Sequence, residues 1–245
     1  MPRTRVPFAL RQIALAVECF HKASLIHDDI VDGQDLRYGR PALYRETGPD
    51  IAMNAGDLLI GEGYRLLAEY DLAPELSARM LRVAACGHRN LCLGQGEELE
   101  AVVHRVGLSR ETVLGILRWK TAPVFNVALS LGAIAARSDE TTLSAVQSYC
   151  DALGTAYQIQ DDLADVSEDG GGNEGGPAQF SIVRQLFEEF RKTQTADAAL
   201  ENARESARRL LDEYRAEAFR AIRGLRQTAL KSLLHRLCTK ILSDG

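Results

Sequence analysis

Two stretches of this chain crowd three aspartates together. They are Asp28-Asp29-Ile30-Val31-Asp32 and Asp161-Asp162-Leu163-Ala164-Asp165, each with the pattern Asp-Asp-x-x-Asp. In a helix, residues four apart lie on one face, so Asp28 pairs with Asp32 and Asp161 with Asp165. Like charges at that spacing repel by a few tenths of a kcal/mol. A hard cation offsets the repulsion, and Mg²⁺ in particular binds through carboxylates and substrate phosphates together. Two such faces opposed across a cavity are expected to clamp a diphosphate through bridging Mg²⁺. A single acidic cluster on a helix is usually a solvated face. Here both clusters end apolar runs, Ala23-Ser24-Leu25-Ile26 before the first and residues 153–159 before the second. Buried helices that turn acidic twice point to a site.

The elements that must position these aspartates are helices. Apolar residues recur at helical spacing, and alternating β-branched runs are nearly absent. One long helix is predicted over 9–31, then a loop over 33–47 with Gly39, Pro41 and Gly48 as breakers. Helices follow over 49–70 and 74–104. Ser109 opens a fourth that ends near Lys120, and another runs over 122–136. Ser138-Asp139-Glu140 caps a helix that continues to Asp165. The Gly-rich stretch 169–177 reads as a flexible loop, either closing over ligand or merely connecting. Helices over 180–191, 196–223 and 228–242 complete one all-α domain of about ten helices spanning residues 1–245.

Composition narrows the function. The chain has 245 residues, 46% of them hydrophobic, enough for a sizeable core. The net charge of −5 argues against general nucleic-acid binding. Five scattered cysteines without a Cys-x-x-Cys fit reduced thiols in a cytoplasmic protein. No signal peptide is evident, and the most apolar stretch, 124–136, is too short to cross a bilayer.

Several motifs in order resemble the trans-isoprenyl diphosphate synthases. Ser24 to Asp32 followed by Leu36-Arg37-Tyr38-Gly39-Arg40-Pro41 resembles that family's first aspartate-rich motif, and Tyr157 to Asp165 its second. Ala55-Gly56-Asp57, Gly94-Gln95, Lys120-Thr121-Ala122 and Leu131-Gly132-Ala133 match between them. The resemblance implies a single-domain, all-α helical bundle around a deep central cavity, usually a homodimer. It implies a Mg²⁺-dependent polyprenyl diphosphate synthase, with three ions around the bound diphosphate. Such an enzyme condenses an allylic prenyl diphosphate with isopentenyl diphosphate. Asp28, Asp32 and Asp161 are then principal metal ligands, with Asp29, Asp162 and Asp165 as supporting ligands or an outer layer. Arg37 and Lys120 hold the allylic diphosphate, Gln158 and Gln95 line the site, and His21 lies toward isopentenyl diphosphate. Read alone, His21 and His27 are packed core histidines.

Three features depart from the family pattern. The chain starts after the point where the family carries Gly-Lys-x-x-Arg-Pro, so N-terminal helices are expected to be missing or shortened. Tyr38 stands where a second arginine contacts isopentenyl diphosphate, and residues 170–179 hold no lysine. Most of these losses fall on the acceptor substrate. They leave two alternatives open: a class I terpene synthase or cyclase-like enzyme that ionises one prenyl diphosphate, and a non-catalytic subunit of a prenyl synthase. For a synthase, a chain anchored at Asp28 and Asp32 should grow along the first helix past Ser24 and Ala23. Phe20 would then set the floor for products of about twenty carbons or longer; alternatively, Phe20 packs on a neighbouring helix.

Overall fold

A computed structural model describes residues 8–70, 73–104, 107–168 and 180–242. Its first helix, α1 (Phe8–Asp32), stops because Gly33 takes φ +65° and Gln34 N–H returns to the Asp29 carbonyl at 3.0 Å. That six-to-one bond is the Schellman ending, which a glycine enters without a Cβ clash. Asp32 is therefore the last helical residue. The chain folds back as a hairpin, β1 (Leu36–Arg37) with β2 (Arg40–Pro41), Arg37 opposite Arg40. Tyr38 and Gly39 form its two-residue turn with φ +53° and +74°. Positive φ at both positions matches the twist of paired strands. Then come α2 (Leu43–Thr47) and α3 (Pro49–Ala68), the latter opened by a proline at its first position. The loop expected over 33–47 thus holds a hairpin and a short helix. Strands of two residues are too short to show alternation in sequence.

Contacts divide the chain into two units, residues 1–85 with 127–138 and residues 86–126 with 139–245. In the first, α1 packs on α3. Ile13, Ala16 and Ala23 are buried along α1, and Ala52, Gly56, Gly63 and Leu67 along α3. Small residues in both stripes let the backbones approach, and Gln12 Nε2 bridges to the Leu66 carbonyl at 3.0 Å.

The second unit contains parts of α4 (Pro74–His104) and α5 (Arg110–Ala135), then α6 (Glu140–Glu168), α7 (Ile182–Phe190), α8 (Ala196–Ala221) and α9 (Thr228–Ile241). Its core joins Val113 and Leu117 of α5, Ile159 of α6, Ile182 and Leu186 of α7, and Ala203 of α8. Tyr149, fully buried, donates its hydroxyl to the Leu234 carbonyl at 2.7 Å and ties α6 to α9. Two caps expected from sequence are present: Ser109 Oγ accepts from Thr112 N–H at 3.1 Å, and Asp139 Oδ1 from Thr142 N–H at 2.8 Å.

One expected break is absent. The sequence places a helix end near Lys120, but α5 runs on through Pro123. Proline removes one backbone bond and crowds the carbonyl four residues back. Close packing on either side accompanies the unbroken helix. A Cβ on Gly94 of α4 would stand 2.6 Å from Lys120 N, and one on Gly154 of α6 would stand 2.6 Å from the Ala122 backbone. Residues 119–122 of α5 are thus in backbone contact with both neighbours. Nine helices stand among the described residues, and none is long and apolar enough to cross a membrane. Residues 169–177, read as a flexible loop, lie outside the described residues.

Two outcomes follow from this packing. Gly154→Ala should cost roughly 1–3 kcal/mol by overpacking, whereas Gly115→Ala in α5, with open space around it, should be neutral or stabilise by up to about 1 kcal/mol; chemical denaturation compares them. Hydrogen bonds from the Thr142 side chain and backbone hold the Asp139 carboxyl below its ordinary value of 3.8. A depressed acid stabilises the fold above its unfolded pKa and loses that contribution as pH falls. Asp139→Ala should therefore lower the melting temperature at pH 7, and the deficit should shrink below about pH 4.

Candidate active site

The first aspartate motif occupies the last turn of α1. Asp28 is half-buried and Asp32 exposed, whereas Asp29 is 3% exposed. On a helix the second residue of the motif is turned about 100° from the first, while the fifth returns to within about 40° of it. The inward turn takes Asp29 to Arg37 of the hairpin. Its Oδ1 accepts from Arg37 Nε at 2.9 Å and also from Nη2. This pairing raises the guanidinium pKa above its ordinary value. The family resemblance assigns Arg37 to the allylic diphosphate; here the half-buried side chain is paired with Asp29.

The rest of that unit explains the motif Ala55-Gly56-Asp57. His27 lies over Gly56, where no Cβ has room, with Nε2 3.4 Å from the Met53 carbonyl and 3.6 Å from Asp57 Oδ1. The glycine and aspartate of Ala55-Gly56-Asp57 are therefore the seat of His27. His21 is half-buried, and its carbonyl accepts from Ser24 Oγ at 2.9 Å. Ala23 belongs to the buried stripe. Phe20, expected to floor a product tunnel, is engaged by α3. Its ring lies where a Gly63 Cβ would be 2.6 Å away and meets Tyr64 edge-to-face at 5.0 Å. The glycine opposite Phe20 opens a seat for the ring, which makes Phe20 a helix-packing residue. Tyr38 is 75% exposed at the hairpin turn, with Lys22 Nζ 5.4 Å from its ring centre.

The second motif sits on α6 in the other unit. Asp161 and Asp165 are exposed, and Asp162 is 4% exposed. Asp162 Oδ2 accepts from Ile182 N–H at 2.7 Å, and Oδ1 accepts from Gln158 Nε2 at 3.3 Å. Burial pushes its carboxyl up to about 7, against the hydrogen bonds from Ile182 and Gln158. Gln158, expected to line the site, bridges two helices: Thr121 Oγ1 donates to its Oε1 at 3.1 Å, and its Nε2 lies 3.5 Å from Asp161 Oδ2. Lys120 forms an ion pair with Glu98 of α4 at 2.8 Å. Glu98 escaped the sequence reading; its signal is its place one turn after Gly94, on the face α4 offers to α5. Gln95 is half-buried beside Gly94.

Among the described residues no three His, Cys, Asp or Glu side chains converge as a ready-made metal cage. Mg²⁺ does not require one, since it is commonly held by one or two carboxylates with substrate phosphates and water. The all-oxygen donor set of Asp28 and Asp32, and of Asp161 and Asp165, fits such a hard ion. Asp29 and Asp162 fit it poorly, because burial and existing partners occupy them.

The Polyprenyl synthetase family model matches residues 3–175. The farnesyl diphosphate synthase of Escherichia coli is 34% identical over 232 residues, covering 90% of this chain and 71% of that protein. The geranylfarnesyl diphosphate synthase of Natronomonas pharaonis is 34% identical over 154 residues, covering 63% of this chain and 45% of that one, so the match spans about half of that relative's length. The geranylgeranyl pyrophosphate synthetase of Pyrococcus horikoshii superposes with a TM-score of 0.85 at 24% identity, over 98% of this chain and 81% of that structure. The last likeness is one of fold, and it agrees with the all-α architecture.

The packing of Phe20 makes a stability prediction. Phe20→Ala should cost about 3 kcal/mol, since it empties the seat over Gly63. Ser24→Ala should cost far less, as it removes one bond to a carbonyl within its own helix. Denaturant midpoints of the two variants check this.

Proposed function

This chain belongs to the polyprenyl synthetase family, and on that premise we propose that it is a Mg²⁺-dependent prenyltransferase. It ionises an allylic prenyl diphosphate and joins the resulting cation to isopentenyl diphosphate. The observation that carries the reading is the repeated pair of aspartates one helical turn apart, half-buried Asp28 with exposed Asp32 and exposed Asp161 with exposed Asp165, each pair beside a buried aspartate. Bound Mg²⁺, up to three ions, supplies Lewis-acid stabilisation of the departing diphosphate. Asp28 and Asp32 of the first motif would hold such ions, as would Asp161 of the second, with Asp165 supporting. Arg37 in the one unit and Lys120 in the other would each offer positive charge to a diphosphate, as preorganised cations should. Lys120 must exchange Glu98 for phosphate oxygen, and Arg37 can donate further bonds while remaining on Asp29. A geranylgeranyl-type or longer product is the length the resemblance implies, although Ala23 is buried and Phe20 is seated on α3. Residues 1–245 act in this reading as one catalytic domain, in a cytoplasmic homodimer; among the described residues the five cysteines are free thiols, as a reducing compartment requires.

A second reading, a cyclase-like enzyme that uses one prenyl diphosphate alone, is favoured by one observation. Tyr38 projects an uncharged ring where the resemblance expects an arginine for isopentenyl diphosphate. A non-catalytic subunit has no such support, because it has no need to keep outward aspartate pairs.

Diphosphate release from geranyl or farnesyl diphosphate, with and without isopentenyl diphosphate, tests the reading. Release that requires Mg²⁺ and isopentenyl diphosphate together supports the synthase. Release from the allylic substrate alone selects the second reading, and no release under either condition overturns both. Asp28→Ala and Asp161→Ala should each lower kcat about a thousandfold, or roughly 4 kcal/mol. Tyr38→Arg should tighten isopentenyl diphosphate roughly tenfold to hundredfold, the worth of one charge-assisted contact.

A further inference from the structure

We propose that the corner formed by the end of α8 and the outer face of α9 docks the protein on the anionic surface of a lipid bilayer. The inference goes beyond the reaction assigned to the aspartates, and only the choice of lipid as the partner leans on that reading.

The sequence supplies the charge. Residues 218–240 hold six cations, Arg220, Arg223, Arg226, Lys231, Arg236 and Lys240, and no aspartate or glutamate. The whole chain carries −5, so the remaining residues carry −11. Clusters of about four to eight basic residues are what anionic lipid headgroups attract. The acidic remainder makes the segment stand out as the one direction from which a negative surface is approached favourably.

The fold turns that charge outward. One stripe of α9 is buried, with Leu234 and Cys238 fully covered. Tyr149 of α6 donates its hydroxyl to the Leu234 carbonyl and holds the helix by that side. The opposite face carries Leu233, Arg236 and Lys240, spaced three and four residues apart and so aligned along the helix. All three are exposed, Leu233 at 41%. The end of α8 lies alongside. Phe219 stacks on His235 with ring centres 4.7 Å apart, and Lys231 Nζ donates to the Arg223 carbonyl at 2.6 Å. These contacts bring the exposed Arg220 and Arg223 to the same corner. Arg226, in the connection between the helices, is near enough to Asp139 to help hold that carboxyl low.

Three features favour a bilayer over another polyanion. Leu233 stands within the cation row, where a nucleic-acid backbone gains nothing from it. A lipid interface does gain, because leucine enters the headgroup boundary while arginine and lysine lay their apolar stems beside it. The second feature is shape: a flat surface meets this corner alone, and repulsion from the acidic remainder is screened beyond a Debye length of about 8 Å. The third is the product of the proposed reaction, whose polyprenyl chain leaves water favourably for a bilayer. No described helix is long and apolar enough to cross a membrane, so the attachment is peripheral and salt-sensitive.

Sedimentation of the whole chain with vesicles, without substrate or Mg²⁺, tests this apart from the reaction. The chain should pellet with phosphatidylglycerol vesicles, stay in solution with phosphatidylcholine vesicles, and be released from the former by added salt. Arg236→Glu combined with Lys240→Glu should weaken binding by about tenfold or more. Arg208→Glu combined with Arg209→Glu, the same change of charge further back on α8, should weaken it less than about threefold. Leu233→Ser leaves the charge untouched and should still weaken binding severalfold. All these side chains are exposed, so each variant should keep the wild-type melting temperature. No pelleting with anionic vesicles at low salt, equal pelleting with neutral ones, or full binding by the Arg236 and Lys240 variant would overturn the proposal. Tighter binding to duplex DNA than to vesicles would also overturn it and assign the face to nucleic acid. A chain that binds anionic vesicles but releases no diphosphate from prenyl substrates upholds the docking surface while the synthase reading fails.

Discussion

The close passage of α5 between two glycines governs the second half of this molecule. Gly94 and Gly154 leave no space for a side chain, so residues 119–122 lie backbone to backbone with α4 and α6. Interiors packed to crystal-like density transmit such constraints instead of absorbing them. The consequences are chemical. Lys120 is brought to Glu98, Thr121 to Gln158, and through Gln158 to Asp162. The same contact borders Pro123, which lies inside a continuous helix.

Charge is managed by sorting the aspartates. Three like charges within one turn and a half repel, and a buried carboxylate without donors is costly. The chain meets the first demand by leaving Asp32, Asp161 and Asp165 exposed and Asp28 half-buried. It meets the second with a guanidinium for Asp29 and a backbone amide for Asp162. The two solutions differ in strength. Arg37 is always charged and gives Asp29 a cationic partner. Ile182 N–H is neutral, and burial dominates at Asp162, whose carboxyl is pushed up to about 7.

Long helices and their caps were legible because periodicity and capping residues act locally: α1, α4, α6 and the Ser109 and Asp139 caps stand where the sequence puts them. The motif residues were legible as types. What could not be read was their partners. The angle between Asp28 and Asp29 follows from a helix, but which of them points inward depends on α1 meeting its hairpin. Phe20 faces α3 because Gly63 lies opposite, a match between residues far apart in sequence. Glu98 is one of many exposed-looking glutamates until α5 brings Lys120 beside it. The hairpin at 36–41 was hidden by its brevity.

The most direct measurement of the account is a crystal structure of the chain with Mg²⁺ and a non-ionisable allylic diphosphate analogue. The account predicts Mg–oxygen distances of about 2.0–2.1 Å from Asp28, Asp32 and Asp161, with Asp29 still on Arg37 and Asp162 still on the Ile182 amide. Analogue bound without metal at these aspartates, or Asp29 and Asp162 drawn into the coordination shell, would contradict it.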